Sequence, residues 1–339
     1  MRFRSLLVVA WLPVLQVLLV GLLGALLASN RFSVLTSDAR RNMNKIVYIV
    51  FVPSLVFSSL ASTVTLKDII SWWFMPVNMG IIFLIGAVLG WASVKAFGMG
   101  EHLQGLVIAC CSSGNWGTIP LMIVPAICNE EGSPFGDANT CNSLGLSYVS
   151  LSMALGNFYI WTHSYSVMKR SAELYKAKCK NHAQTDTSKQ HFGQDAAADY
   201  LLLEKCKGYA GSPERTVVST KYSCYKVKSL VTEEGIGRSR TVIKPIVVIS
   251  VIVVRYVLLP ICGIGIVTAA TKLGFLPRSP LYRYVLLLQS TVPPAMSIGT
   301  IAQLFDVGEE ECSIIFLWTH LVAALSLTLW STVFMSLVL

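Results

Sequence analysis

Three groups of residues in this chain have types and spacings suited to chemistry, and all three lie inside apolar sequence. The hydrophobic stretch 103–127 is interrupted by Ser112-Ser113-Gly114-Asn115-Trp116-Gly117-Thr118-Ile119-Pro120, and the stretch 284–305 by Thr291-Val292-Pro293-Pro294 with Ser297 just beyond. In the middle of a third stretch, 242–269, stands Arg255. Each stretch is long enough to cross a bilayer, for which roughly 20 apolar residues suffice. A helix opened inside hydrocarbon leaves N–H and C=O groups unpaired at several kcal/mol each. It persists only where the opened backbone faces protein or a wet cavity. Paired interrupted helices at corresponding places in two halves of a chain mark the substrate site of secondary transporters.

Each group has a functional and a structural reading. The Asn115 amide offers a donor and an acceptor to an anionic or amphipathic ligand; alternatively, Asn115, Ser112 and Ser113 re-pair the backbone freed by the glycines and Pro120. Pro293 and Pro294 each remove a helical hydrogen bond. They either make a simple kink or expose a half-helix N-terminus, whose partial positive charge favours anions. Arg255 is a permanent cation, and intramembrane charges are functional candidates by default. No acidic residue lies in any apolar stretch to pair with it. Its partner is either a substrate carboxylate or a set of helix C-terminal carbonyls. His163 and His320 read as packing residues rather than proton relays.

The elements that must position these groups follow from composition. The chain has 339 residues, 54% hydrophobic and only 13% charged, against about 25% charged for a soluble domain. This is an all-α polytopic membrane protein. Eight apolar spans are expected: 6–29, 46–62, 69–93, 103–127, 144–168, 242–269, 284–305 and 312–339. The first follows Arg2 and Arg4 like a signal peptide, but its long apolar run predicts a retained helix. The net charge of +9 does not point to nucleic acid, because 14 of the 27 Lys and Arg lie in the polar segment 169–240. Basic residues near span ends mark the cytoplasmic side. Arg31, Arg40, Arg41 and Lys45 therefore place the 30–45 connection in the cytoplasm, while Glu130, Glu131 and Asp137 place the 128–143 connection opposite. Lys272, Arg278 and Arg283, with Asp306 and Glu309 to Glu311, run against that orientation in the second half.

The organisation is a repeat over 1–168, a cytoplasmic polar loop over 169–241 predicted to be largely disordered, and a three-span repeat over 242–339. A short amphipathic piece is expected at 200–209. The last three spans echo the third to fifth: an intact helix, a broken one, then one rich in aromatic and small residues. Nine cysteines show no metal-ligand spacing. Cys128 and Cys141 share the acidic connection, either as a disulfide in an oxidising compartment or as two thiols. No zinc-protease helix, phosphate-binding loop or intramembrane acid pair is present, so neither an enzyme nor a cofactor is implied.

The motifs Ser113-Gly-Asn-Trp-Gly-Thr-Ile-Pro120, Ile123-Val-Pro-Ala-Ile-Cys128, Gly132-Ser-Pro-Phe-Gly136, Val254-Arg-Tyr-Val-Leu-Leu-Pro260, Leu287-Leu-Gln-Ser-Thr-Val-Pro-Pro-Ala-Met296 and Gln303-Leu-Phe-Asp-Val-Gly-Glu-Glu-Glu-Cys312, with Leu327-Thr-Leu-Trp-Ser331, resemble the PIN-LIKES family of plant auxin carriers. The resemblance covers residues 1–168 and about 236–339. It implies an inverted-repeat transporter fold of ten helices with crossing broken helices at the fourth and ninth positions. It also implies an endoplasmic-reticulum, multi-pass carrier of the carboxylic acid auxin (indole-3-acetic acid) that limits auxin signalling. Asn115 and Pro120 on one side, and Pro293, Pro294 and Ser297 on the other, would line the site, with Arg255 as a further candidate. Where the family usually reads Gly-Asn-x-Gly-Asn the second amide is Thr118, and Ser297 stands where asparagine is frequent. Two helices usual before the span at 242 are missing, so the chain resembles a shortened form. A non-transporting partner of full-length carriers, in a homo- or hetero-oligomer, is the alternative reading.

Overall fold

The computed structural model describes residues 19–24, 26–28, 34–51, 53, 54, 57, 66–129, 133–189 and 244–338. The chain divides into two compact units, residues 1–172 with 243–339, and residues 173–242. The first expected span lies mostly, and the second about half, outside the described residues, and the piece at 200–209 lies wholly outside them. Within the first unit α1 covers Ser37–Ile46 and α2 covers Leu66–Ser71. Six segments follow, and three of them, Phe74–Ala96, Pro245–Lys272 and Glu309–Val338, are long and apolar enough to cross a membrane. The six are α3 (Phe74–Ala96); α4 (Glu101–Ser112) with α5 (Thr118–Cys128); α6 (Ala138–Tyr159), which passes through a π-helical turn at Ile160–Ser164 into α7 (Tyr165–Lys189); α8 (Pro245–Val253), which passes through a π turn at Val254–Leu258 into α9 (Leu259–Lys272); α10 (Pro280–Leu288) with α11 (Ser297–Phe305); and α12 (Glu309–Val338). Among the described residues there is no strand, only one isolated bridge.

Local chemistry sets the boundaries. The expected span from 69 is interrupted at Trp72 and Trp73, and α3 restarts at Phe74, because Pro76 has no N–H for the Trp72 carbonyl. That oxygen accepts instead from Met75 N at 2.9 Å and the Tyr282 hydroxyl at 3.2 Å. Pro260 likewise cannot serve the Tyr256 carbonyl four residues back. There the helix widens into its π turn, and the Trp330 indole donates to Tyr256 O at 2.9 Å. Asp137 caps α6 by accepting from Thr140 N and Oγ1, at 3.1 and 3.2 Å. Those bonds, the amide's first, hold its carboxyl below the usual carboxylate range. The polar segment expected from residue 169 begins as helix, since α7 runs on to Lys189. Residues 165–189 contain no glycine or proline to stop it. The remainder of the central loop lies outside the described residues.

The six segments form two groups of three in opposite senses: α3, α4/α5, α6–α7, and α8–α9, α10/α11, α12. At one end the start of α3 meets the chain just past α9, with Trp73 and Phe275 rings 5.5 Å apart, and Tyr148 of α6 meets Tyr282 of α10 at 5.1 Å. At the other end His102 near the start of α4 lies 3.9 Å from Glu311 at the start of α12, and Tyr165 meets Phe305 at the end of α11. The echo between the two halves is therefore an inverted one. Cys128 and Cys141 form a disulfide, with Cα atoms 5.6 Å apart, that ties the end of α5 to the start of α6. Phe135, beside it, packs on Tyr284 of α10, so Arg283 shares the disulfide's end of the molecule. The mismatch between charge and orientation in the second half is thus built into the folded molecule.

The tightest helix contact joins α3 to α4. Gly86 and Gly90 lie one turn apart on α3, a spacing that lets helix backbones approach closely in membranes. A Cβ at Gly86 would sit 2.5 Å from the Cys111 carbonyl oxygen, whereas Gly265 on α9 has nothing within 4 Å. Gly86→Ala should therefore lower the midpoint of thermal unfolding, at a cost of about 1–3 kcal/mol for overpacking, while Gly265→Ala leaves it unchanged or raises it. Fluorescence-detected size-exclusion after heating measures both.

Candidate functional site: two broken helices pinned by a buried arginine

The first break starts where Ser112 turns its hydroxyl back onto the Ile108 carbonyl at 2.9 Å, competing with the helix for that oxygen. Ser113 is extended, and α5 resumes at Thr118 with Pro120 in its first turn, where no backbone donor is needed. In the second break Ser290 and Thr291 cap the end of α10, their hydroxyls on Leu287 O and Leu288 O at 2.7 and 3.0 Å. Residues 292–295 then run extended to α11.

The two opened stretches pair with each other. Asn115 N donates to Pro293 O at 2.7 Å and Ala295 N to Ser113 O at 3.1 Å, which places Gly114 opposite Pro294 in an antiparallel bridge. Gly114 and Pro294 form the non-hydrogen-bonded pair, a position that asks nothing of proline's missing donor. Close approach also requires glycine there, since a Cβ on Gly114 would lie 2.6 Å from Val292 Cγ2 and 2.7 Å from Arg255 Nη2.

Arg255 completes the junction from the π turn between α8 and α9. Its Nη2 donates to Ser113 O at 2.9 Å and Pro293 O at 3.1 Å, and its Nη1 to Cys111 O at 3.3 Å. The guanidinium is wholly buried. Ser113 O and Pro293 O each accept one bond from the bridge and one from Arg255, so both lone pairs are used. The Cys111 carbonyl lies at the C-terminus of α4, the negative end of that half-helix. Of the two partners open to Arg255, the folded chain supplies the carbonyls.

Charge is segregated at the crossover. The C-termini of α4 and α10 end there, and Arg255 answers the first of them. The N-termini of α5 and α11 start there, and beside them is Asn115, 8% exposed. Its backbone N–H serves the bridge, but the side-chain Nδ2 is buried without a partner. Such an atom costs about 1–3 kcal/mol unless something accepts from it. Asn115, Pro293, Pro294 and Arg255 are therefore brought into one junction. Pro120 is buried in the first turn of α5, and Ser297 is half-buried at the first residue of α11; neither takes part in the hydrogen bonds of the bridge.

Sequence reasoning passed over the polar residues that brace this junction. Gln289 accepts from Asn78 Nδ2 at 2.8 Å and donates to Ser152 Oγ at 2.8 Å, linking α10 to α3 and α6. The Trp116 indole donates to Gln289 O at 2.8 Å, and Ser113 Oγ lies 2.6 Å from Ser164 Oγ in the first π turn. Asn78 and Gln289 are amides within apolar spans, and that was the available signal. His163 packs edge-on against Phe83, their ring centres 5.2 Å apart.

An inverted pair of three-helix groups whose broken members cross at a buried polar junction defines a membrane transport protein, not an enzyme. The model of the family described as membrane transport protein matches residues 9–219 and 230–331. Among relatives from Arabidopsis thaliana, Protein PIN-LIKES 7 is 43% identical over 393 residues, covering 99% of this chain and 100% of the relative. Protein PIN-LIKES 5 is 41% identical over 394, with the same coverage, and Protein PIN-LIKES 1 is 39% identical over 383, covering 100% of this chain and 81% of the relative. The chain belongs to this membrane transport family, on its PIN-LIKES branch. No solved structure matches it.

The geometry makes Arg255 a sensitive position. Arg255→Lys should fail almost as badly as Arg255→Gln, because an ammonium cannot span three carbonyls on two segments as the planar fork does. Each lost charge-assisted bond is worth about 1.5–3 kcal/mol. Both variants should show a lowered unfolding midpoint and poor folded yield in detergent, as read by size-exclusion.

Proposed function

We propose that this chain is a carrier for an indole-type carboxylic acid, auxin, in the endoplasmic-reticulum membrane, where it mediates intracellular auxin accumulation and thereby regulates auxin signalling. The observation that carries the reading is the unbonded, buried Nδ2 of Asn115 beside the converging N-termini of α5 and α11. A carboxylate is an acceptor with no donor, and half-helix N-termini favour it. Pro120, Pro293, Pro294 and Ser297 give the site its apolar and hydroxyl walls. Arg255, held by carbonyls, contributes its field through the bridge it supports.

Asn115→Ala tests this directly. Its side-chain donor serves no protein group, so the variant should insert and fold like the parent. Loss of a buried hydrogen bond to a charged group should weaken binding of radiolabelled indole-3-acetate roughly tenfold to a hundredfold in a scintillation proximity assay. Unchanged affinity would remove Asn115 from the site.

One observation favours a second reading. The alignments with PIN-LIKES 7 and PIN-LIKES 5 extend over 393 and 394 positions against 339 residues here, a surplus large enough for two helices of roughly 20 residues each. A chain without them could insert and associate with full-length carriers while moving nothing itself. Auxin retention by cells expressing this chain, beside one with two helices restored before residue 242, separates the readings. Equal retention supports an autonomous carrier, and retention only on restoration supports the modulator.

A further inference from the structure

Behind the crossover two buried polar atoms lack partners, and they are complementary. His320 of α12 is 3% exposed, with Nδ1 2.9 Å from the Phe316 carbonyl oxygen. A carbonyl only accepts, so Nδ1 carries the ring proton and Nε2 presents a lone pair. That Nε2 is buried without a partner, and so is the Nε–H of Arg255. Next to His320, the Thr319 carbonyl accepts from the Tyr256 hydroxyl at 2.7 Å, which fixes α12 against the π turn that carries Arg255.

We propose that His320 Nε2 is the proton-binding site of the carrier, taking a proton from the aqueous phase when an anion occupies the crossover, so that proton and carboxylate bind together. This rests on the carrier reading above. Histidine is the side chain whose charge ordinarily changes near neutral pH. A proton on Nε2 would add a second cation to Arg255 within the stretches 242–269 and 312–339, which hold no acidic residue. With the site empty, the guanidinium opposes it. A carboxylate at Asn115 offsets the guanidinium's field and removes that opposition. By reciprocity the proton raises anion affinity by the same factor.

The titratable and charged groups on the elements around α12 are few. The π turn carries Arg255 and Tyr256; α4 carries Cys110 and Cys111, with Glu101 and His102 at its far end; and α10 carries Tyr282, Arg283 and Tyr284. On α12 itself are Cys312 and the acidic first turn, Glu309 to Glu311, while α8 and α11 carry none. Of these, Arg255 is the permanent charge on the turn that the Tyr256–Thr319 bond holds against α12 beside His320.

The test uses the full chain in nanodiscs with indole-3-methanesulfonate, an anion whose own charge is constant across the range studied. Calorimetry in two buffers of different ionisation enthalpy counts protons taken up on binding. Uptake should be seen, with affinity rising roughly fivefold to a hundredfold as pH falls from about 8 to about 6. His320→Gln should bind as the parent does at the alkaline end, at every pH, and take up no proton; His163→Gln should behave as the parent. Should His320→Gln not fold, His320→Asn keeps a donor for the Phe316 carbonyl and replaces it. In the parent labelled at histidine Cε1, the resonance missing from the variant should move to its protonated position when the probe is added. Binding without proton uptake, uptake that survives loss of His320, or a His320 resonance that ignores the probe each overturns the proposal. A parent that binds neither this probe nor indole-3-acetate overturns the carrier reading itself, and the proton site with it.

Discussion

The whole arrangement depends on how two carbonyl oxygens are satisfied in hydrocarbon. Ser113 O and Pro293 O belong to backbone that two interrupted helices leave without intrahelical partners. Each takes one bond from the opposing strand and one from Arg255. Without the bridge, the guanidinium would have to satisfy both breaks alone. Without the guanidinium, each oxygen keeps one lone pair empty in a medium where water is absent. An opened helix and a buried cation are each costly, and here each compensates the other. The spans need no carboxylate because the chain's own carbonyls serve as the counter-charge.

That solution leaves the opposite face of the crossover electrically uncommitted. The negative end of α4 is answered by Arg255, and Asn115 lies where α5 starts. That side presents an unpartnered buried donor, Asn115 Nδ2, which an anion can accept from. The Gln289, Asn78 and Ser152 chain, with the Trp116 indole, fixes the break to α3 and α6, so the donors are held in place before any ligand arrives.

Much of this was legible in the sequence, for physical reasons. Glycine, proline and amide clusters inside apolar runs have few explanations in a membrane, so both breaks and the membrane class could be read directly. An arginine without an acid announced that carbonyls or a ligand must compensate it, though not which. The echo of an intact, a broken and an aromatic-rich span showed the internal repeat. Other features depend on contacts distant in the chain. That Gly114 meets Pro294, or that Gln289 meets Asn78, is a matter of tertiary packing that no local pattern encodes. The π turn at Val254–Leu258 follows from Pro260, but its orphan carbonyl finds Trp330 only in the folded chain. The helix that continues to Lys189 was hidden because low apolar periodicity reads as loop when no glycine or proline is weighed against it. The disulfide was left open because spacing alone does not bring Cys128 and Cys141 together.

Among the described residues, every bond to the junction's backbone comes from the two inverted three-helix groups. The crossover is thus a knot tied by the two halves of the chain: each half closes the hydrogen bonds that the other leaves open, so neither break can be built without its counterpart.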